Sequence, residues 1–133
     1  MSKLTTHPVN EATAKEFITI DERDQSSNGC LRIITYIDKD TNQHIAYVPS
    51  LEVTGYGNTE TEARDLLWVA IEKFFDHLFS PSVTRIYDEL SKLGWKRSWY
   101  KKKEFSRTYI DVTGELKEFA LEDSIRTEEL QIA

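Results

Sequence analysis

The sequence predicts an α+β fold in which a helix covers one face of a small antiparallel sheet. Three observations carry this prediction. Two β-rich stretches, 31–38 and 44–56, flank the turn-forming residues 39–42. The glycines Gly55 and Gly57 then allow a tight corner between the last strand and the next element. Apolar residues beyond that corner recur with the period of a helix, which places a helix directly after the strands.

Length and composition describe one ordinary folded domain. The 133 residues suffice for one core that needs neither a metal nor disulfides to hold it. The net charge of −6 excludes a general nucleic-acid binder, although a local basic patch stays compatible with it. Cys30 is the only cysteine, which excludes an intrachain disulfide and predicts a reducing, cytoplasmic location. Residues 1–10 lack a signal-peptide core, and no apolar run could span a membrane, so neither is expected.

Residues 1–30 are predicted to be an N-terminal extension with room for an extra strand at 17–20. The charged, turn-rich stretch 21–29 predicts a loop. Strand 31–38 follows with apolar residues on both faces, which predicts that both faces are covered. A helix is expected to cover one face, and a partner subunit is one option for the other face. Strand 44–48 pairs back on it as a hairpin.

Pro49 marks a break or an edge, because proline cannot donate to a strand ladder. The alternation of a strand resumes over 51–56. The main helix is then predicted from about residue 60 to 79, with Thr59 as its N-cap and Glu62 completing a capping box. Its apolar residues extend beyond one stripe, so burial on more than one side is expected. The stripe consists of Ala63, Leu66, Leu67, Ala70, Ile71, Phe74 and Leu78.

Residues 80–112 are predicted to form a second, shorter helix and a basic hairpin. Pro81 suits the first helical position and Gly94 the C-terminal cap. Strands at 95–100 and 105–112 are expected to flank a lysine-rich loop. The final segment, 113–133, carries six acidic residues against two basic ones, which leaves an amphipathic helix and a loose acidic tail both open.

The junction between the hairpin and the main helix resembles the signature of HicB-like antitoxins, small bacterial proteins that neutralise RNA-cleaving HicA toxins. With strand 31–38 before it, the resemblance covers about residues 31–79. The family pattern is a hairpin that runs straight into an amphipathic helix. The residues that match it are Ala46, Tyr47, Pro49, Leu51, Val53, Gly55, Gly57, Thr59, Glu62 and Ala63.

The resemblance implies a β-β-β-α core with a partial ribonuclease-H-like fold and assembly into a homodimer or larger. It also implies a role without catalysis, in which the chain covers the active surface of a small basic toxin. Acidic residues would steer such a partner. Segment 113–133 is too short for the complete helix-turn-helix that many members carry. The partner-binding residues, chosen by expected exposure and charge, are Glu52, Tyr56, Glu60, Glu122, Asp123, Glu128 and Glu129.

The chain offers no pattern typical of a catalytic or metal site. The three histidines His7, His44 and His77 lack metal-ligand spacing, so no metal and no cofactor is expected. A two-metal nuclease site needs several carboxylates gathered together. The candidates are Asp38, Glu52, Asp65 and Asp76, and their positions favour solvated surface charge.

The basic, aromatic segment 95–107 suggests the main alternative function, nucleic-acid binding. Cations contact phosphates, and aromatic faces stack on unpaired bases, so the segment is compatible with single-stranded nucleic acid. On one strand Trp95, Arg97, Trp99 and Lys101 would share a face. The competing interpretation packs the tryptophans onto the second helix and leaves the lysines in solvent or paired with acids. A stand-alone homo-oligomer with a structural or sensing role is the third possibility. The nucleic-acid candidates are Trp95, Lys96, Arg97, Trp99, Lys101, Lys102, Lys103 and Arg107.

Overall fold

The computed structural model describes residues 5–8, 16–101, 103–107, 120–121 and 124–132. These residues form one antiparallel sheet and two helices, so the predicted α+β class is confirmed. In chain order the elements are β1 (Thr5–Pro8), β2 (Glu16–Asp21), β3 (Ser26–Ile37), β4 (His44–Val48), β5 (Val53–Gly57), α1 (Glu60–Leu78), α2 (Ile86–Lys92), β6 (Lys96–Arg97), β7 (Glu104–Arg107) and β8 (Arg126–Ile132).

The long strand β3 organises the sheet. On one side it pairs with β8 over residues 29–35. On its other side, residues 26–30 pair with β2 and residues 34–37 pair with β4. The sheet therefore runs in the order β1-β8-β3-β2-β7-β6, with β4 and β5 branching from the end of β3. Residues 31–35 are all buried, so the predicted cover on both faces of this strand is confirmed.

The segment 126–132 is a strand, which corrects the expectation of a helix or a loose tail. β8 lies between β1 and β3, and Leu130 is fully buried opposite Leu31. Ile132, two residues on, is buried as well. The ladder with β3 satisfies the backbone of this segment and buries one of its faces, which its acidic composition did not reveal.

The predicted loop 21–29 is too long, because only residues 22–25 form the turn and β3 begins at Ser26. Gly29 lies inside the strand, opposite Ile18. A Cβ at this position would lie 2.1 Å from the carbonyl oxygen of Phe17, so glycine is needed for β2 and β3 to pair here.

The predicted strand 51–56 begins later than expected, at Val53. Leu51 and Glu52 form the turn after Pro49, where the amide of Leu51 donates to the carbonyl of Val48 at 3.2 Å. Glu52 adopts a φ of 56°, a turn conformation, and so does not lie on a strand face.

Helix α1 matches its prediction to within one residue. The Thr59 hydroxyl accepts from the Glu62 amide at 3.1 Å, and the Glu62 carboxylate accepts from the Asn58 amide at 2.7 Å. A Cβ at Gly55 would lie 2.1 Å from the Ala63 carbonyl oxygen, so the helix rests directly on β5. The buried face is narrower than the predicted stripe, because Leu66 is 38% exposed. Its buried residues are Ala63, Leu67, Ile71 and Leu78.

Helix α2 begins at Ile86, so Pro81 precedes it and the predicted first-turn position is wrong. Gly94 ends the helix as predicted, with a φ of 93° that favours glycine. The amide of Trp95 reaches back to the carbonyl of Leu90 at 3.1 Å. Both helices contribute side chains to one buried cluster with the sheet. None of the helices in the described part of the chain is long and apolar enough to cross a membrane.

Candidate functional site

The predicted C-terminal hairpin exists as β6 and β7, which are joined through the loop 98–103. Strand β6 ends at Arg97, so the expected shared strand face from Trp95 to Lys101 does not form. Trp95 is 1% exposed, and its Nε1 donates to the carbonyl oxygen of Ser50 at 3.0 Å. A buried indole cannot stack on a base, which removes Trp95 from the nucleic-acid candidates.

Arg107 also has a structural role. Its Nη1 donates to the same Ser50 carbonyl oxygen at 3.3 Å. The guanidinium lies close to Gly94, where a Cβ would be 3.5 Å from Arg107 Cζ. This half-buried guanidinium therefore ties β7 to the end of α2 and to the β4–β5 turn.

Glu16 completes this polar junction, although no feature of the sequence had indicated it. Its carboxylate oxygen Oε2 accepts from the Ser50 hydroxyl at 2.6 Å and from the Arg32 amide at 2.9 Å. The carboxylate thus occupies the stretch where β3 changes partner from β2 to β4. Glu16 is 7% exposed. A lone acid before a β-rich run carries no sequence signal for such a role.

The hairpin loop presents two of the most exposed aromatic side chains among the described residues. Trp99 is 88% exposed and Tyr100 is 66% exposed. Their rings meet edge to face, with centroids 5.3 Å apart. Large exposed aromatic groups of this kind are typical of binding surfaces.

Several cations of this segment are paired with carboxylates. Lys101 lies 3.6 Å from Glu104, and Lys103 lies 3.3 Å from Asp21. Lys96 and Arg97 are exposed on β6, and the Arg97 guanidinium lies 6.0 Å from the centre of a phenyl ring, that of Phe105. Lys102 lies outside the described residues.

A groove of about 680 Å³ lies between this hairpin, the start of α2 and the β2–β3 turn. Its apolar lining includes Ile20, Tyr87 and Phe105. The charged lining balances, with three acidic and three basic side chains: Asp21, Glu22, Asp24, Arg23, Arg97 and Lys103. The amide of Asp24, followed by the ammonium of Lys103, lowers the pKa of the Asp21 carboxyl. The groove thus has no net charge that would select an anion or a cation.

The predicted partner-binding residues do not form one acidic surface. Glu52 and Tyr56 are exposed on the β4–β5 hairpin. Glu60 and Glu128 are both held by Arg64, at 3.0 and 2.8 Å, and Arg126 lies 3.4 Å from Glu60. Glu122 and Asp123 lie outside the described residues.

Glu129 lies beside Cys30 on neighbouring strands. Burial of the Cys30 thiol, and then the adjacent Glu129 carboxylate, raise the pKa of this thiol to about 11. A thiol with a raised pKa stays protonated at neutral pH and is a poor nucleophile. This supports the interpretation of Cys30 as a small packing residue.

The carboxylates considered for a nuclease-like site stay apart in the structure. Within the described part of the chain, no three His, Cys, Asp or Glu side chains come together in a way that could hold a metal ion. Asp38 instead accepts from the hydroxyl and amide of Thr41, and these bonds lower the pKa of its carboxyl.

Comparison of the chain with protein-family models, with curated proteins and with solved structures found no match. The resemblance to HicB-like antitoxins therefore stays a prediction from the sequence.

Proposed function

We propose that this chain is a binding protein of the HicB-like antitoxin type, which neutralises a small basic RNA-cleaving protein by covering its active surface. The order β3-β4-β5-α1 supports the proposal, because three antiparallel strands followed by a covering helix is the arrangement that the resemblance implies. The partial ribonuclease-H-like fold, assembly into a homodimer or larger, and the cytoplasmic location belong to the same proposal.

The observation that carries the proposal is the open edge of β5. Among the described strands, β5 pairs with β4 alone. Within the described residues, the backbone groups along its other edge pair with no strand, which suits them to an added strand, a common way of binding a partner protein. Because Gly55 faces α1, the neighbouring Tyr56 projects from the opposite face of the sheet, where it is 56% exposed.

Exposed side chains on β5, in the turn before it and on the helix that covers it suit a protein partner. An exposed tyrosine beside an open strand is a typical anchor at protein interfaces. Glu52 adds an exposed acid in the preceding turn, which favours a basic partner. Leu66 and Val69, on the helix that covers β5, are 38% and 42% exposed.

Purification of the tagged chain from its native cells tests the proposal. We expect a small basic protein to co-purify in stoichiometric amount and to be toxic when expressed alone. The Tyr56→Ala variant should weaken this complex by about 30-fold, the loss that an interface hot spot gives. Tyr100→Ala is the matched control, since it removes a tyrosine of similar exposure from a different part of the surface. Purification of the chain with no such partner would refute the antitoxin role.

A second candidate function is the binding of single-stranded nucleic acid by loop 98–103. The exposed Trp99–Tyr100 pair favours it, because each aromatic face can stack on a base. The pairing of Lys101 and Lys103 with carboxylates weakens it, since fewer cations are left for phosphates. Titration of an RNA oligonucleotide at two salt concentrations tests it. Trp99→Ala should abolish binding and Tyr56→Ala should leave it unchanged, and a wild-type protein that does not bind would exclude it.

A further inference from the structure

A small cavity at the start of α1 combines polar and charged side chains, and neither proposed function uses the cavity itself. It measures about 230 Å³ and is distinct from the larger groove beside the hairpin. Thr35 and Ala46 form part of its floor, Glu60 lies at the first turn of α1, and Arg126 borders it from β8. Thr35 is in register with both Ala46 and Arg126, so these three side chains project from the same face of the sheet.

The hydroxyl of Thr35 indicates that the cavity accommodates a polar atom. Thr35 is 4% exposed, and its Oγ1 has no hydrogen-bond partner in the part of the chain that the structure describes. Buried hydroxyls nearly always have such a partner, because removing one from water without compensation is costly. A ligand atom that can donate or accept would satisfy it.

The charges around the cavity favour a ligand with both signs of charge. Glu60 and Arg126 form a loose pair at 3.4 Å, with side chains 37% and 63% exposed. Arg64 binds the other oxygen of Glu60 and also Glu128, so the four charges sum to zero. A net anion would be repelled by Glu60, and a net cation by Arg126. A molecule that carries an ammonium and a carboxylate satisfies both.

We propose that this cavity binds a small zwitterion of the α-amino-acid class. Its carboxylate pairs with Arg126, its ammonium with Glu60, and a hydroxyl on its side chain reaches Thr35. The cavity volume equals about eight water molecules, at roughly 30 Å³ each, which accommodates an amino acid with a small side chain together with some water. His44 also lines the cavity, where its ring can hydrogen-bond to the same ligand.

Calorimetric titration with matched small molecules tests this site. L-serine and L-threonine carry both charges and a side-chain hydroxyl, whereas propionate lacks the ammonium and isopropylamine lacks the carboxylate. We expect saturable binding of at least one of the two amino acids and none of propionate or isopropylamine. Absence of binding by both amino acids would overturn the proposal, as would tighter binding of propionate or isopropylamine.

Variants locate the binding site within the molecule. Arg126→Gln should weaken amino-acid binding by roughly tenfold or more, the effect of losing a charge-assisted pair. Thr35→Val keeps the shape of the side chain and should weaken binding without unfolding the protein. Arg23→Gln, which changes an exposed arginine in the other groove, is the control and should bind like the wild type. Unchanged binding by the Arg126 and Thr35 variants would show that the site is elsewhere.

Discussion

The indole nitrogen of Trp95 donates to the carbonyl oxygen of Ser50 at 3.0 Å, which joins the end of α2 to the turn between β4 and β5. Arg107 donates to the same oxygen, and the Ser50 hydroxyl donates to Glu16. Four distant parts of the chain therefore meet at one buried residue, which is 1% exposed. This junction fixes the branch in the sheet from which the open strand β5 extends.

Truncation of Trp95 should destabilise the fold strongly. We expect Trp95→Ala to lower the free energy of unfolding by about 3–5 kcal/mol, because it leaves a cavity in the core and removes a donor from the Ser50 carbonyl. Urea unfolding followed by circular dichroism measures the change. Trp99→Ala removes the same side chain from an exposed loop and should stay within about 0.5 kcal/mol of the wild type. Equal effects of the two substitutions would contradict the assigned positions.

The Glu16 carboxylate should be required for stability. Glu16→Ala leaves the Arg32 amide and the Ser50 hydroxyl without their acceptor, which should cost about 1–3 kcal/mol for each buried group. Glu16→Gln keeps one acceptor oxygen and should lose less. Glu22→Ala, at an exposed position, is the control. Thermal unfolding ranks the three variants by stability. A Glu16→Ala variant as stable as the Glu22 control would refute this role.

Contact between β5 and α1 should depend on Gly55. A methyl group there would collide with the backbone of Ala63, so Gly55→Ala should destabilise the protein by about 1–3 kcal/mol. It should also increase hydrogen exchange of the α1 and β5 amides. Gly94→Ala tests a different effect, since its Cβ would have space at 3.5 Å and only the φ of 93° opposes it. Its destabilisation should appear without faster exchange in α1.

The Cys30 thiol should be unreactive in the folded protein at neutral pH. Folding raises its pKa from 9.0 to about 11, through burial first and Glu129 second. The folded state therefore holds the thiol proton more firmly than the unfolded chain does. This contribution to stability is fully present below pH 9 and is lost as the pH rises toward 11.

Iodoacetamide labelling measures this difference in thiol reactivity. We expect slow alkylation of the native protein at about pH 8 and fast alkylation in urea, because the thiolate is the reactive form. Glu129→Gln removes the neighbouring negative charge and should speed alkylation of the folded state. Labelling of the native wild type as fast as that of the unfolded chain would contradict the raised pKa.

Local signals predicted the main helix well. The cap at Thr59 and the glycine at position 55 act within a few residues, so the neighbouring sequence is sufficient to predict their effect. Strand β8 depends instead on a partner far away in the chain. Its buried residues, Leu130 and Ile132, are only two in number and stand among charged ones. The local composition therefore gave no indication of the pairing with β3.

At the candidate site, the two tryptophans of the hairpin show the same limit of prediction from local sequence. Trp95 and Trp99 are four residues apart, yet one is 1% exposed and the other 88% exposed. Their difference arises because the chain turns inward at Gly94 and finds an acceptor on Ser50. Neither the turn's direction nor the distant acceptor can be read from the basic, aromatic composition that suggested a shared binding face.

The position of β8 determines how late in synthesis the sheet can be completed. Leu31 lies opposite Leu130, so a growing chain leaves one side of β3 without its partner strand until residues 126–132 have emerged from the ribosome. Contacts between such distant residues form slowly, because a long loop must first close. Nascent chains that have passed α1 but not β8 therefore expose an apolar strand edge, and they are the species most prone to aggregate or to need a chaperone.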